Sequence, residues 1–163
     1  MRHIGETVPG GMGQTMFARA AELFRAGSVV AGRYELRREL GRGGMGVVWA
    51  AWDKNLEMEV ALKVLPEIIL TDPLAVKRIR EEAKLCLELT HPGIVRVYTF
   101  EEWEGVPFIV MEKVGEGRTL AHEMAERGKF SVEEALEVIG PICEALEYAH
   151  GKGFIHRDIR DLG

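Results

Sequence analysis

Gly41-Arg42-Gly43-Gly44-Met45-Gly46 runs straight into Val47-Val48-Trp49-Ala50-Ala51-Trp52. The glycines at 41, 43 and 46 have the spacing G-x-G-x-x-G, which lets a backbone bend sharply and bring its N–H groups close to phosphate oxygens. The same spacing opens dinucleotide-binding folds, and Glu67 even lies roughly 20 residues downstream, where an acidic residue would meet a ribose. That fold needs a helix directly after the loop. Residues 47–52 are β-branched, small and aromatic and read as a strand, so the loop joins two antiparallel strands instead. No Gly-Lys-Ser/Thr follows, which excludes a Walker-type loop. From the loop alone, a ligand-free glycine hairpin and a phosphate cradle both stay open.

Working outward, Tyr34, Leu36, Arg38 and Leu40 alternate with Glu35, Arg37 and Glu39, as in a half-buried strand. Asp53-Lys54-Asn55 marks a turn, and Glu59 to Leu65 forms a third strand that Pro66 ends. Thr71-Asp72-Pro73 opens a helix that runs to about Leu89, and His91-Pro92-Gly93 stops it. Ile94 to Phe100 and Val106 to Val114 read as two more strands around an acidic turn containing Gly105. Thr119 caps a short helix ending at Gly128, and Ser131-Val132-Glu133-Glu134 is a capping box for a helix to about His150. Pro141 lies inside that helix and predicts a kink or a lost hydrogen bond. Residues 1–32 read as a tethered extension with one short helix, roughly Gln14 to Arg25, on which Phe17, Ala20, Ala21 and Phe24 share a face. Three strands, one helix, two strands and then helices make the fold class α+β.

In the third strand Ala61, Lys63 and Leu65 share one face while Val60, Leu62 and Val64 share the other. A strand apolar on both sides is buried on both sides, and an unpaired ammonium there is costly. In the next helix Ala75, Ile79, Glu82, Cys86 and Leu89 form one stripe, with Glu82 its charged member. Two readings follow. Lys63 and Glu82 form an ion pair, or Lys63 snorkels and Glu82 sits at the edge of the stripe.

Composition narrows the partners. The chain has 163 residues, 47% hydrophobic and 29% charged, which excludes a disordered tail or a collagen-like fibre. A net charge of −5, with no basic run longer than Arg37-Arg38 or Lys77-Arg78, gives no footprint for nucleic acid or an anionic membrane. Any phosphate must therefore be bound locally. Apolar runs such as Phe108-Ile109-Val110-Met111 are too short to span a bilayer, and the first residues lack the apolar core of a signal peptide. Cys86 and Cys143 fall in helical patterns, as reduced thiols of a cytoplasmic protein do, and no metal site is expected from them. The histidines have bland readings. Trp49, Trp52 and Trp103 read as packing residues, since the basic groove of a base-stacking platform is missing.

Taken in order, several runs resemble the protein kinase family, specifically bacterial Ser/Thr kinases. They are Gly32-Arg33-Tyr34-Glu35-Leu36, the glycine loop with Leu40 and Val47-Val48, Val60-Ala61-Leu62-Lys63-Val64-Leu65, Glu82-Ala83, His91-Pro92-Gly93-Ile94-Val95, Phe108 to Glu112, and His156-Arg157-Asp158. The resemblance implies a small lobe with a five-stranded antiparallel sheet and one helix over 33–111, and a hinge with an incomplete helical large lobe over 112–163. It further implies that Gly41 to Gly46 cover the phosphates of ATP and that Val48 and Ala61 press on the adenine. Lys63 would contact the α- and β-phosphates while paired with Glu82. Met111 looks like the gatekeeper, Glu112 to Val114 the hinge, and Asp158 the catalytic-loop aspartate that accepts the proton of a substrate hydroxyl. Arg157 would meet an activation-loop phosphate.

The resemblance also implies protein substrates and magnesium, yet the family's usual magnesium ligands do not match here. Gly163 stands where the pattern has asparagine, and the 163 residues contain no Asp-Phe-Gly. Arg160 keeps the positive charge of the family's lysine but blurs the Ser/Thr assignment. The expectation is therefore a truncated kinase domain that transfers phosphate poorly by itself. The alternative is a catalytically dead nucleotide-binding module that docks on a complete kinase. Leu136, Ile139, Ile142, Cys143 and Leu146 form a stripe left without its usual large-lobe partners, which favours self-association, chaperone binding or partial disorder.

Overall fold

Alternating apolar residues build one antiparallel sheet of six strands in the order β1-β2-β3-β4-β6-β5. The strands are β1 Val29–Val30, β2 Tyr34–Gly43, β3 Gly46–Asp53, β4 Met58–Val64, β5 Val97–Trp103 and β6 Val106–Glu112. Helix α1, Pro73–Leu87, crosses from β4 to β5, and α2, Leu120–Arg127, and α3, Val132–Gly151, follow the sheet. The computed structural model describes residues 20–44, 46–66, 69, 72–115 and 119–156. Asp158, Arg157, Met45, Glu67 and Thr71 lie outside them.

The α+β class holds, with one more strand than the sequence suggests. Val29 pairs with Glu35 and Val30 with Tyr34, so β1 extends the sheet ahead of Arg33. Val30 is fully buried and Phe24 almost so. The Phe24 ring meets Trp103 and Phe108 edge-on, at centroid distances of 6.0 and 5.8 Å. The packed unit therefore starts before residue 33, where the sequence suggests only a tether. Two residues are too few for alternation to show, and tertiary contacts alone bury Phe24.

Cross-strand register separates two faces of the sheet. Val64 pairs with Val47 and Phe108, and Leu62 with Trp49 and Val110; these side chains fill the core with Phe24, Val30, Tyr34 and Leu36. The opposite face carries the rows Val48–Lys63–Ile109 and Ala50–Ala61–Met111.

A polar latch closes the edge of the core. The Arg33 guanidinium donates two hydrogen bonds to the Asp53 carboxylate, at 2.9 and 2.6 Å. Asp53, 1% exposed, also accepts from the backbone N–H groups of Asn55 and Leu56. The Tyr34 hydroxyl donates to Glu101 at 2.7 Å. Arg33 holds the Asp53 carboxyl below the usual carboxylate range against the opposing effect of burial. Burial and then Glu101 push the Tyr34 hydroxyl well above its usual value.

The helix starts follow the local rules. The Asp72 carboxylate accepts from the Leu74 N–H ahead of Pro73 at the first helical position. Thr119 caps α2. In the Ser131–Glu134 box, Ser131 Oγ accepts from the Glu134 N–H and the Glu134 carboxylate accepts from the Ser131 N–H. Helix α3 runs unbroken through Pro141. Its inner side meets the 90–93 loop, where the Thr90 N–H donates to the Tyr148 hydroxyl at 3.1 Å and the His91 ring lies 5.2 Å from that of Tyr148. A side chain on Gly93 would press on the Ala145 methyl at 3.1 Å.

Candidate functional site

The β2–β3 hairpin narrows to the pair Gly43–Gly46. Two kinds of glycine occupy it. Gly46 has φ +108°, and a Cβ there would collide with the Val64 carbonyl oxygen, so the approach of β3 to β4 requires glycine. Gly41, Gly43 and Gly44 are different: a Cβ on any of them would meet nothing within 4 Å. Packing does not explain their lack of side chains. Arg42 folds its guanidinium back onto Glu39, with bonds of 3.1 and 2.6 Å.

Beside the hairpin lies the face Val48, Lys63, Ile109, Ala50, Ala61 and Met111. Gly41 is the partner of Val48 across the β2–β3 ladder, and Val48 is the partner of Lys63 across β3–β4. The register thus puts the loop, an aliphatic side chain and an ammonium in consecutive positions. Lys63 is half-buried, whereas Ala50 and Ala61 add only methyl groups to the face. Met111 closes the row next to Ala61. The chain then leaves the sheet through Glu112, Lys113 and Val114, the last of these 60% exposed. At this exit Lys113 Nζ lies 3.1 Å from Glu59 Oε2, and Arg37 Nη1 lies 3.0 Å from Glu59 Oε1. Sequence reading missed both partners because strand register, which nothing local announces, brings them together.

Glu82 is not brought to Lys63. It is exposed on α1, and no ion pair among the described residues joins the two. The cause is the rotation of α1. The helix packs chiefly on β5, with Ala83 buried and Ile79 against the core. Arg80 lies over the Phe100 ring at 5.4 Å and reaches Glu102 at 3.6 Å. With Ile79, Ala83 and Cys86 facing inward, Glu82 stands about 100° from Ala83 around the axis, on the flank. Its charge, after burial, helps to raise the Cys86 thiol above its ordinary value. Glu82 thus stands at the edge of the stripe.

Two cavities lie away from the glycine hairpin's inner face. One, of about 280 Å³, opens on the outer side between Phe24, Val47, Trp49 and Val64. The other, about 430 Å³, lies between His91, Arg96, Tyr98 and Glu112. Among the described residues, no group of three or more His, Cys, Asp or Glu could hold a metal ion.

A glycine hairpin, a half-buried lysine in register with it, a chain that leaves the sheet after β6 and a helix between β4 and β5 are the layout of the small lobe of a protein kinase. The chain belongs to the protein kinase domain family, whose model matches residues 34–161. Solved relatives share the fold: the kinase domain of Mycobacterium tuberculosis PknI superposes with a TM-score of 0.75 at 31% identity, over 85% of this chain and 55% of that one. The probable serine/threonine-protein kinase PknB of Corynebacterium glutamicum is 42% identical over 136 residues, which are 81% of this chain and 21% of that protein. PknA of M. tuberculosis is 38% identical over 141 residues, 83% of this chain and 32% of that one. The chain thus spans a fifth to a third of these curated relatives. Among the described residues, no helix is long and apolar enough to cross a membrane.

Proposed function

We propose that the face Val48–Ala61–Lys63–Met111 binds ATP and that the domain this chain represents transfers the γ-phosphate to Ser or Thr hydroxyls of proteins. One observation carries the reading: of three glycines that the packing leaves unexplained, Gly41 stands in register, through Val48, with a half-buried lysine. Bare backbone at Gly41, Gly43 and Gly44 lets N–H groups approach phosphate oxygens, and the Lys63 ammonium supplies charge to the α- and β-phosphates. Val48 and Ala61 would sandwich the adenine, Met111 would limit the depth of its slot, and backbone groups of Glu112 to Val114 would read its edge. Asp158 would accept the proton as the substrate hydroxyl oxygen bonds to the γ-phosphorus and the bond to the ADP oxygen breaks.

The family pairs Lys63 with Glu82 during transfer, so α1 must rotate to bring Glu82 inward. No metal-binding cluster exists among the described residues, and Gly163 lacks a ligand side chain. This chain by itself is expected to transfer phosphate slowly, because Gly163 stands where the family pattern has a ligand asparagine.

Calorimetric titration of the full chain with ATP tests the reading. Lys63→Met removes a charge-assisted contact worth about 1.5–3 kcal/mol and should weaken binding roughly tenfold or more. Asp158→Asn should leave binding unchanged. A chain that does not bind ATP overturns the site, and turnover of a protein substrate that Asp158→Asn abolishes overturns the expectation of slow transfer.

A further inference from the structure

The β4–β6 ladder ends at the pair Val60–Glu112. One step further the register would place Glu59 opposite Lys113, and there the side chains, rather than the backbones, make the connection, at 3.1 Å. The Lys113 side chain is only 9% exposed although the residue lies in the segment leaving the sheet. An ammonium so covered needs an anionic partner, and Glu59 supplies one. Glu59 is itself anchored from the other side. It is the β4 partner of Trp52, whose ring carries the Arg37 guanidinium at 4.8 Å, and Arg37 reaches the second carboxylate oxygen at 3.0 Å. Lys113 first, and then Arg37, hold the Glu59 carboxyl below the usual range, so it is ionised at neutral pH.

Strand alternation adds the consequence for the site. Glu59, Ala61 and Lys63 lie on one face of β4. The same strand that offers its methyl group and ammonium to the nucleotide face therefore grips the hinge two residues earlier. We propose that Glu59 is a positioning residue for adenine recognition: bridging Arg37 and Lys113, it fixes the backbone at Glu112 to Val114 against the sheet, so that the hinge is preset for the base rather than for the phosphates. This rests on the nucleotide-binding reading above.

Titration of the full chain with two probes, ATP and inorganic tripolyphosphate, tests the inference, because only the first has a base for the hinge to read. Glu59→Gln and Lys113→Met should each weaken ATP binding about threefold to fivefold, as expected for a half-exposed ion pair, and leave tripolyphosphate binding unchanged. The double variant should lose less than the sum of the two single losses, since both remove the Glu59–Lys113 contact. Glu59→Asp, which keeps the charge, should retain most of the affinity. Amide hydrogen exchange at residues 112–114 should quicken in Glu59→Gln without a change in the rest of the sheet. Unchanged ATP affinity in both single variants overturns the proposal, as do additive losses or a parallel loss of tripolyphosphate. A wild-type chain that binds neither probe removes the nucleotide reading and the clamp with it. A wild-type chain that binds ATP while its variants bind equally well removes the clamp alone.

Discussion

Gly46 and Gly43 sit opposite each other at the mouth of one hairpin, yet the packing demands glycine only at Gly46. At Gly46 the backbone is left-handed and Val64 occupies the space a side chain would need. Gly46→Ala should therefore cost about 1–3 kcal/mol from backbone strain, plus the displacement of β4, and lower the melting temperature by several degrees. Gly43→Ala meets open space, so it should leave the melting temperature nearly unchanged and weaken ATP binding in calorimetry. The spacing G-x-G-x-x-G announces three glycines in the sequence but cannot say which one serves the fold, because the Val64 carbonyl arrives from another strand. The Arg33–Asp53 pair is likewise invisible to local pattern and sets an acid limit. The folded Asp53 value lies below its unfolded value of about 3.9, so the stability it contributes is complete above that pH and is lost as pH falls through the lowered folded value. Urea midpoints followed from neutral pH to about pH 2 should fall steeply for the wild type, and Asp53→Asn should be less stable at neutral pH with a shallower acid limb. Parallel curves would show that another carboxylate governs the loss.

Helix starts were legible because their chemistry is local. Asp72-Pro73, Thr119 and Ser131 with Glu134 each bond within three residues of themselves. Strands β3, β4 and β6 were legible because each is long enough to show alternating or doubly apolar faces. Strand β1 and the burial of Phe24 were not, since two residues carry no period and Phe24 is buried by Trp103 and Phe108 from far along the chain. The rotation of α1 was half legible: Ile79 and Cys86 of the stripe face inward, but Glu82 between them does not, and only contact with β5 shows that the centre is Ala83. Residues 24–32 accordingly belong to the folded unit. Phe24→Ala should cost about 3–5 kcal/mol, as for a buried core aromatic, and the measured loss of urea stability should exceed that of any substitution on a tether. A loss under about 0.5 kcal/mol, ordinary for an exposed site, would return residues 24–32 to the status of an appendage.

Packing against the rest of the described residues covers helix α3 on one side only. Helix α3 docks its Ala145, Tyr148 and Ala149 side on the 90–93 loop, with Gly93 admitting the close approach. Its other side presents Leu136, Ile139 and Ile142 to solvent at 63%, 52% and 39% exposure. The sequence stripe Leu136, Ile139, Ile142, Cys143 and Leu146 is therefore mostly bare, and the inward side is carried by two alanines whose spacing looks unremarkable in the sequence. The two sides should respond oppositely to substitution. Ala145→Leu forces bulk against Gly93 and should cost about 1–3 kcal/mol, as overpacking does. Leu136→Lys with Ile139→Lys removes no packing and should change stability by no more than about 0.5 kcal/mol per site. What the paired lysines should change is association. A stripe of three exposed aliphatic side chains gives water a reason to expel it, so the wild type should bind a hydrophobic dye and sediment faster as its concentration rises. The double variant should lose the dye signal and sediment independently of concentration. A wild type that stays monomeric and dye-negative at all concentrations would show that this side of α3 is covered in solution.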